Sequence, residues 1–159
     1  MKKKMKKKMK ITADKIKELR EKTKVSVMVC KKALEEADGD MAKATEILHQ
    51  EGIKIAGKKS ERKLNAGVVD SYIHSTKQVG VLIEARSETD FVAKNGAFLS
   101  FVHDIAMHIA ALDPKNIEEL IGQQYIKNPG VTIGDYIKEM IQKFGENIEI
   151  AGFVRYSTD

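Results

Sequence analysis

Apolar and polar residues alternate along two neighbouring stretches in the middle of the chain. β-branched residues are frequent in both stretches, residues 66–74 and 78–86, and Ser75, Thr76 and Lys77 separate them. Because successive side chains of a strand point to opposite faces of a sheet, this alternation predicts two strands joined as a hairpin.

A helical spacing follows the hairpin. From about Asn95 to Leu112 the apolar residues recur every three or four positions, and the Asp113-Pro114 pair ends the pattern. The apolar stripe consists of Phe98, Phe101, Val102, Ile105, Ile109 and Leu112. This spacing predicts a long amphipathic helix with one buried face.

The last part of the chain predicts two more helices and a strand. The expected elements are a short helix over 118–124, a turn over 128–130, a helix over 133–144 capped by Thr132, and a strand over 148–157. The order β-β-α-α-β, with one apolar face per element, predicts an α+β core over residues 66–159 in which helices cover one face of an antiparallel sheet.

Three shorter helical patterns precede the hairpin. Their candidate caps and ends are Thr12, Ser26, Gly39, Asp40 and Gly52. They predict three helices over residues 11–53 that form a compact bundle of the ubiquitin-associated type, which is a binding module without chemistry of its own. The charged composition of residues 54–65 predicts a linker that is helical over part of its length.

Lysines at the start of the chain account for its positive charge. The formal net charge of the 159 residues is +5, but residues 1–10 contain seven lysines, so the remainder is slightly acidic. A basic arm can bind phosphate backbones without sequence preference. The interpretation that we favour is a solvated tail, or a start of translation at Met5 or Met9. We therefore expect no specific binding of nucleic acid.

The sequence lacks the motifs of common catalytic and metal sites. It has no P-loop, no glycine-rich dinucleotide motif and one cysteine, Cys30, which leaves no cysteine pair for zinc and no internal disulfide. Asp104 and His108 align one helical turn apart, but two groups are too few for a metal site. We expect no cofactor, no metal and no enzymatic activity.

Three further features of the sequence indicate its cellular compartment. The lysine-rich start has no apolar core of a secretory signal, and no apolar run reaches the ~18 residues that a membrane span needs. A single cysteine suits a reducing environment. These features predict a cytoplasmic protein that does not enter a membrane.

Residues 87–95 connect the hairpin to the long helix. Ser87 or Thr89 can cap the new helix, and Asp90 then lies in its first turn, where the helix dipole favours an anion. Phe91 precedes the apolar stripe. One interpretation is an exposed anchor that inserts into a pocket of a partner. The other is a hydrophobic staple that folds back onto the core.

The same segment carries a resemblance to a known family. Residues 89–95, T-D-F-V-A-K-N, resemble the signature of elongation factor Ts, the bacterial nucleotide-exchange factor for elongation factor Tu. Further segments resemble the N-terminal domain (17–23 and 30–34), the core helix (105–111) and the last helix-to-strand corner (145–148) of that family. The resemblance covers roughly residues 10–156 in one order, and it favours the anchor interpretation of Phe91.

The resemblance implies a function for these residues. It implies binding to GDP-bound elongation factor Tu and release of GDP through disturbance of the magnesium and phosphate site. Asp90 and Phe91 correspond to the inserting pair, and Thr89 and Val92 flank them. Secondary contacts are implied at Arg20, Val27, Met28, Val79, Gly80 and His108.

Two departures from the family pattern affect these expectations. The loop over residues 23–30 lacks both glycines of the family, and Val27 and Val29 replace a methionine and an aspartate, so its contact differs in detail. One core copy stands where relatives commonly have two, which predicts a homodimer. The alternative functions are a general protein-interaction module and an RNA-binding protein led by the basic tail.

Overall fold

The structure, a computed structural model, describes residues 11–23 and 25–158. These residues form two compact units, which divide between Lys54 and Ile55. The predicted lysine-rich tail, residues 1–10, lies outside the described residues. The finer division into domains at 11–53, 54–65 and 66–159 stays a prediction.

Three helices build the first unit, and each starts at a predicted cap. They are α1 (Ala13–Thr23), α2 (Val27–Glu36) and the first part of α3 (Met41–Lys59). The hydroxyl oxygens of Thr12 and Ser26 accept backbone N–H groups of α1 and α2, and Asp40 Oδ1 accepts two from α3, at 3.0 and 3.1 Å. Caps of this kind satisfy N–H groups that have no partner inside a helix.

The three helices share one small apolar core. Its buried members are Leu19, Cys30, Ala33, Leu34, Ala37, Ala44 and Leu48. Between α2 and α3 the chain turns through two left-handed residues, Asp38 (φ 52°) and Gly39 (φ 80°). Three helices are therefore present as predicted, whereas the ubiquitin-associated class of the bundle stays a prediction.

The predicted end of the third helix at Gly52 is wrong, because α3 continues to Lys59. A glycine inside a helix costs about 1 kcal/mol relative to alanine. Burial of Ala56 in the core of the second unit offsets part of that cost. Lys58 and Lys59 in the last turn also suit the negative end of the helix dipole. Half of the predicted linker is thus helix.

An antiparallel sheet forms the centre of the second unit. Its strands are β1 (Ala66–Ile73), β2 (Val79–Ser87) and β5 (Ile148–Ser157), in the order β1-β2-β5. The β1–β2 hairpin pairs Ala66 with Ser87 and Ile73 with Gly80, and a bulge at Glu84–Ala85 shifts the register of β2 against β5. The predicted α+β class with an antiparallel sheet is confirmed.

Helices pack on one face of this sheet. The helices of this unit are α4 (Asp90–Ala93), α5 (Gly96–Leu112), α6 (Ile117–Gly122) and α7 (Ile133–Phe144). Of these, α4, α5 and α7 contact strands of the sheet, and α6 packs on α7. The largest fully buried side chains of the unit include Phe98, Phe101, Ile83, Ile105, Ile109, Leu120, Ile133 and Ile150. On the opposite face, large apolar side chains remain exposed: Val69, Ile73, Leu82, Val154 and Tyr156. We call these five residues the outer sheet face.

Two local predictions in the second unit are wrong. The expected turn at residues 128–130 is the start of β4 (Asn128–Thr132), which pairs with β3 (Gln124–Tyr125) in a second, two-stranded sheet. Pro129 is tolerated there because an edge strand can leave one backbone position without a donor. The long helix, α5, has the bounds that its spacing predicts, but the expected cap at Ser87 or Thr89 does not open it, since the one-turn helix α4 precedes α5 as a separate element.

Among the described residues, no helix is both long enough and apolar enough to cross a membrane.

Candidate partner-binding site

The corner between β2 and α4 is held in place from within. Ser87, the last residue of β2, is fully buried, and its hydroxyl donates to the carbonyl of Thr89 at 3.0 Å. Of the two expected cap residues, Thr89 is the one that caps a helix: it has extended backbone angles and is the N-cap of α4, with its hydroxyl oxygen accepting the N–H of Val92 at 3.5 Å. Ser87 therefore shapes the turn, and Thr89 caps the helix.

Phe91 points away from the core at this corner. Its neighbours Val92 and Ala93 are buried, whereas Phe91 is 82% exposed. Successive residues of a helix point in different directions. A single turn whose last two residues face the core therefore has its first two residues on the outer side. The hydrophobic-staple interpretation is therefore wrong, and the exposed position that the anchor interpretation requires is present.

Charged residues flank the exposed ring. Asp90 lies in the first turn of α4, and its carboxylate is 3.7 Å from Lys94 Nζ. Both side chains are more than three-quarters exposed, so the pair contributes little to stability. The surface thus offers a carboxylate, an aromatic ring and an ammonium group on one helical turn.

Val92 does not belong to this surface. It is 2% exposed and lies in the core of the second unit. Its side chain anchors α4 to the sheet, and the expectation that it contacts a partner stays a prediction. Its part in the site is to hold the turn that presents Phe91.

A second corner, between α7 and β5, meets the first. The carboxylate of Glu146 accepts both the N–H and the hydroxyl proton of Thr89, at 3.1 and 2.6 Å. In return, the carboxylate of Glu88 accepts the N–H of Asn147 at 2.6 Å. No role was expected for these side chains, although residues 145–148 resemble the family at this corner. That resemblance was the one signal in the sequence that could have pointed to them.

The expected secondary surface on the first unit is exposed. Val27 and Met28 begin α2 with exposed fractions of 47% and 78%, while Cys30 turns inward. Arg20 lies exposed on α1. Two adjacent apolar side chains at a helix start make a small surface that a partner helix can cover.

The side chain of His108 is fully buried, and the secondary contact that the resemblance implies there stays a prediction. Its Nδ1 accepts the N–H of Ile126 at 3.3 Å, so Nε2 carries the proton and donates to Gln123 Oε1 at 3.0 Å. Burial lowers the pKa of His108, and the hydrogen bond to Gln123 opposes this shift. His108 is thus a neutral, buried residue whose two hydrogen bonds fix the residues on either side of β3.

Asp104 is also committed to structural partners. Its carboxylate accepts the hydroxyl of Tyr125 at 3.1 Å and pairs with Lys127 Nζ at 2.6 Å. Tyr125 stacks on Tyr136 with 4.8 Å between ring centroids, and burial raises the pKa values of both phenols. In the part of the chain that the structure describes, no cluster of three or more candidate ligands could hold a metal ion.

Val79 and Gly80 begin β2, at the end of the strand away from Phe91. Both are partly buried, and Gly80 pairs with Ile73 and Tyr156. A side chain at Gly80 would approach Ile73 Cδ1 within 2.8 Å, so the glycine permits close packing there. Gly80 therefore borders the outer sheet face, at a distance along β2 from the Phe91 corner.

Comparison with known proteins supplies the family. A family model described as Elongation factor TS matches residues 88–159. An "Elongation factor Ts" from Alkaliphilus metalliredigens is 42% identical over 93% of this chain and 89% of its own length. The chain belongs to the elongation factor Ts family.

Other elongation factor Ts proteins show the same likeness. The one from Carboxydothermus hydrogenoformans is 41% identical over 92% of this chain and 88% of its own length. The one from Desulfotalea psychrophila is 38% identical over 93% and 98%. The segment that matches the family model starts at Glu88, so it includes α4 and both corners of the site.

Proposed function

We propose that this chain is the guanine-nucleotide exchange factor for elongation factor Tu, acting in the cytoplasm during translation elongation. It acts by binding and not as an enzyme. Membership of the elongation factor Ts family supports the partner. The observation that carries the proposal is Phe91, an aromatic side chain that is 82% exposed on a helical turn anchored by Val92 and Ala93.

The mechanism needs no covalent step. Nucleotide affinity in GTPases of this kind depends on magnesium and on backbone amides around the phosphates. Phe91 inserts between helices of the partner's nucleotide domain, and Asp90 engages the displaced segment beside it. A factor that stabilises this distorted site lowers GDP affinity, and GDP lowers the affinity of the factor by the same amount.

The energies required are modest. Each tenfold gain in GDP release needs about 1.4 kcal/mol of contacts that form only with the distorted partner. One aromatic anchor supplies about 2 kcal/mol or more when it fills a pocket. The Arg20, Val27 and Met28 surface of the first unit adds a second contact, which raises affinity without contributing to the distortion.

The decisive experiment measures release of fluorescent GDP from elongation factor Tu at catalytic concentrations of this chain. We expect acceleration that is lost in Phe91→Ala and kept in Leu99→Ala, which shortens a 39% exposed side chain on α5. Absence of any acceleration by the unaltered chain would reject the proposed function. Equal losses in both variants would reject Phe91 as the anchor.

The competing function is RNA binding through residues 1–10. An RNA-binding arm predicts affinity for RNA that falls steeply with salt and disappears when residues 1–8 are removed. For an exchange factor, a chain that starts at Met9 should match the full chain in the release assay at physiological salt, since exposed charges are screened beyond ~8 Å. A tenfold loss of exchange would instead make the arm a binding element.

We also propose that the chain forms a homodimer. Support comes from the outer sheet face, where five large apolar side chains have exposed fractions between 55% and 79%. Contiguous apolar surface of this kind typically marks an interface, and β5 is an edge strand with a side available for pairing. Sedimentation should show a dimer that Leu82→Lys dissociates. A single-chain species with full exchange activity at micromolar concentration would reject the dimer.

A further inference from the structure

Two corners that lie far apart in sequence are bound to each other beside the Phe91 surface. Glu146, just after α7, is 57 residues from Thr89. One of its carboxylate oxygens accepts the Thr89 N–H at 3.1 Å and the other accepts the Thr89 hydroxyl proton at 2.6 Å. Hydrogen bonds to an ionised acceptor are shorter and stronger than neutral ones. Both polar donors of the α4 cap residue are therefore directed at a single side chain.

The pairing is reciprocal. The Asn147 N–H donates to Glu88 Oε1 at 2.6 Å, and Arg62 forms an ion pair with the same oxygen at 3.6 Å. The Asn147 side chain donates to the carbonyls of Ser60 and Arg62, at 3.4 and 3.3 Å. We call Glu88, Thr89, Glu146 and Asn147 the corner latch. It joins the end of β2 to the start of β5 and to the segment that follows α3.

The helix that carries Phe91 is too short to hold its own direction. α4 has four residues, and isolated helices of fewer than ~12 residues are marginal in water. Its cap bond, from the Val92 N–H to the Thr89 hydroxyl, is long at 3.5 Å. The buried side chains of Val92 and Ala93 set which side faces the core. The direction in which the turn starts depends on Thr89, and thus on Glu146.

We propose that Glu146 is the positioning residue of the exchange surface. By accepting both donors of Thr89, its carboxylate fixes the cap residue that precedes α4 and with it the direction of Asp90 and Phe91. A pre-oriented anchor does not have to be ordered when it binds, so the contact is stronger for the same area. The inference rests on the proposed function for its effect on exchange, but its structural half can be measured on the free chain.

The first arm of the test measures exchange. We expect Glu146→Ala to lower acceleration of GDP release about tenfold, as loss of a charged acceptor at a binding site would. Glu146→Gln keeps one acceptor oxygen, so its acceleration of GDP release should lie between that of the unaltered chain and that of Glu146→Ala. Thr89→Val should reduce exchange, and adding it to Glu146→Ala should produce little further loss. The matched control is Glu149→Ala, which removes the same charge from an exposed position on β5.

The second arm does not need the partner. The chain contains no tryptophan, so Phe91→Trp introduces a single fluorophore at the exposed position. In that background, Glu146→Ala should make local depolarisation of the indole faster, while Glu149→Ala should leave it unchanged. Hydrogen exchange is measured without the Phe91→Trp change. There, Glu146→Ala should lower the protection of the Thr89 amide about tenfold.

The outcomes separate the two hypotheses. An unaltered chain that does not accelerate GDP release rejects the proposed function, and the role of Glu146 in exchange with it. An active chain whose Glu146→Ala variant keeps full exchange rejects the inference alone. Unchanged indole depolarisation and Thr89 protection also reject it. A tenfold loss of exchange with faster depolarisation, and with a melting temperature equal to that of Glu149→Ala, supports it.

Discussion

Phe91 and Phe98 are seven residues apart and have opposite environments. Phe91 on α4 is 82% exposed, whereas Phe98 on α5 is 0% exposed and lies against the rings of Phe101 and Phe144, at 6.1 and 6.2 Å between centroids. In one continuous helix, residues seven apart lie on the same face. Phe91 would then continue the buried stripe of α5.

The break between the two helices prevents this. α4 ends at Ala93 with Lys94 as its C-cap, and the Asn95 side chain caps α5 by accepting the Ala97 N–H at 2.9 Å. The chain therefore changes direction between the two phenylalanines. Both residues are phenylalanines, so hydrophobicity does not decide which of them is buried. The break between α4 and α5 decides it.

The largest effect should come from the buried member of the pair. We expect Phe98→Ala to lower the free energy of unfolding by about 3–5 kcal/mol, since it leaves a cavity beside two other rings. Chemical denaturation measures this directly. A loss below ~1 kcal/mol would show that the Phe98 site can collapse around alanine, and the contrast with Phe91 would disappear.

The exposed member should show the opposite behaviour. Phe91→Ala should change the free energy of unfolding by less than ~1 kcal/mol, because its ring has little contact to lose. Acceleration of GDP release should fall by about thirtyfold, which corresponds to ~2 kcal/mol. The measurement pairs a melting curve with release kinetics on the same sample.

Asp90 refines this prediction. Asp90→Ala should also weaken exchange, and the loss in the Asp90→Ala/Phe91→Ala double variant should be smaller than the sum, because both side chains act on one distortion. Strictly additive losses would indicate two independent contacts. A large fall in melting temperature for Phe91→Ala, with normal release, would place Phe91 in the core after all.

The buried face of α5 should also respond to pH, through His108. Its folded pKa lies below the usual 6.5 because burial disfavours the charged form, so the unfolded chain binds more protons as pH falls. The stability that neutral His108 contributes is complete above pH 6.5 and is lost as pH falls towards the folded pKa. The slope is at most about 1.4 kcal/mol per pH unit for one proton.

Two histidine variants test this assignment. His108→Gln should flatten the dependence of unfolding on pH below 6.5, whereas His74→Gln, at an exposed position after β1, should keep it. Asp104, Tyr125 and Lys127 lie in the same region and should be left unaltered. An unchanged slope in His108→Gln would assign the pH dependence to another group.

The smallest effect should come from the break itself. Asn95→Ala removes the cap of α5 and should cost about 1 kcal/mol of stability, as typical N-cap losses do. Exchange should fall as well, because a weaker break favours a continuous helix that turns Phe91 inward. Asn95→Asp keeps an acceptor oxygen and should retain both stability and exchange. Equal exchange in all three chains would mean that the break persists without its cap.

Local signals in the sequence were sufficient for most elements. Thr12, Ser26, Asp40 and Thr132 were expected as caps, and each accepts backbone N–H groups in the structure. Gly145 ends α7 with a left-handed conformation (φ 72°), which glycine adopts without strain. These features depend on residues that are close in sequence, so pattern and spacing reveal them.

The features that the sequence pattern missed have other causes. The continuation of α3 beyond Gly52 depends on Ala56 finding a core that is assembled from later residues. The β3–β4 pairing depends on strands of two and five residues, which carry almost no periodic signal. The contact between Thr89 and Glu146 joins positions 57 residues apart. The sequence pattern is silent on the first and the third because the deciding partner is distant along the chain, and on the second because the strands are too short to show a period.

The strand order β1-β2-β5 has a consequence for the protein while it is still being made. During synthesis, β1, β2 and the Phe91 turn emerge from the ribosome well before Glu146 and β5. Domains generally fold as units, once their full set of elements has emerged. Until then β2 lacks a neighbour on one side, and Thr89 lacks its acceptor. A nascent or interrupted chain that ends before Glu146 therefore displays Phe91 on an unfixed segment. Incomplete chains should therefore compete poorly with complete chains for binding to the partner.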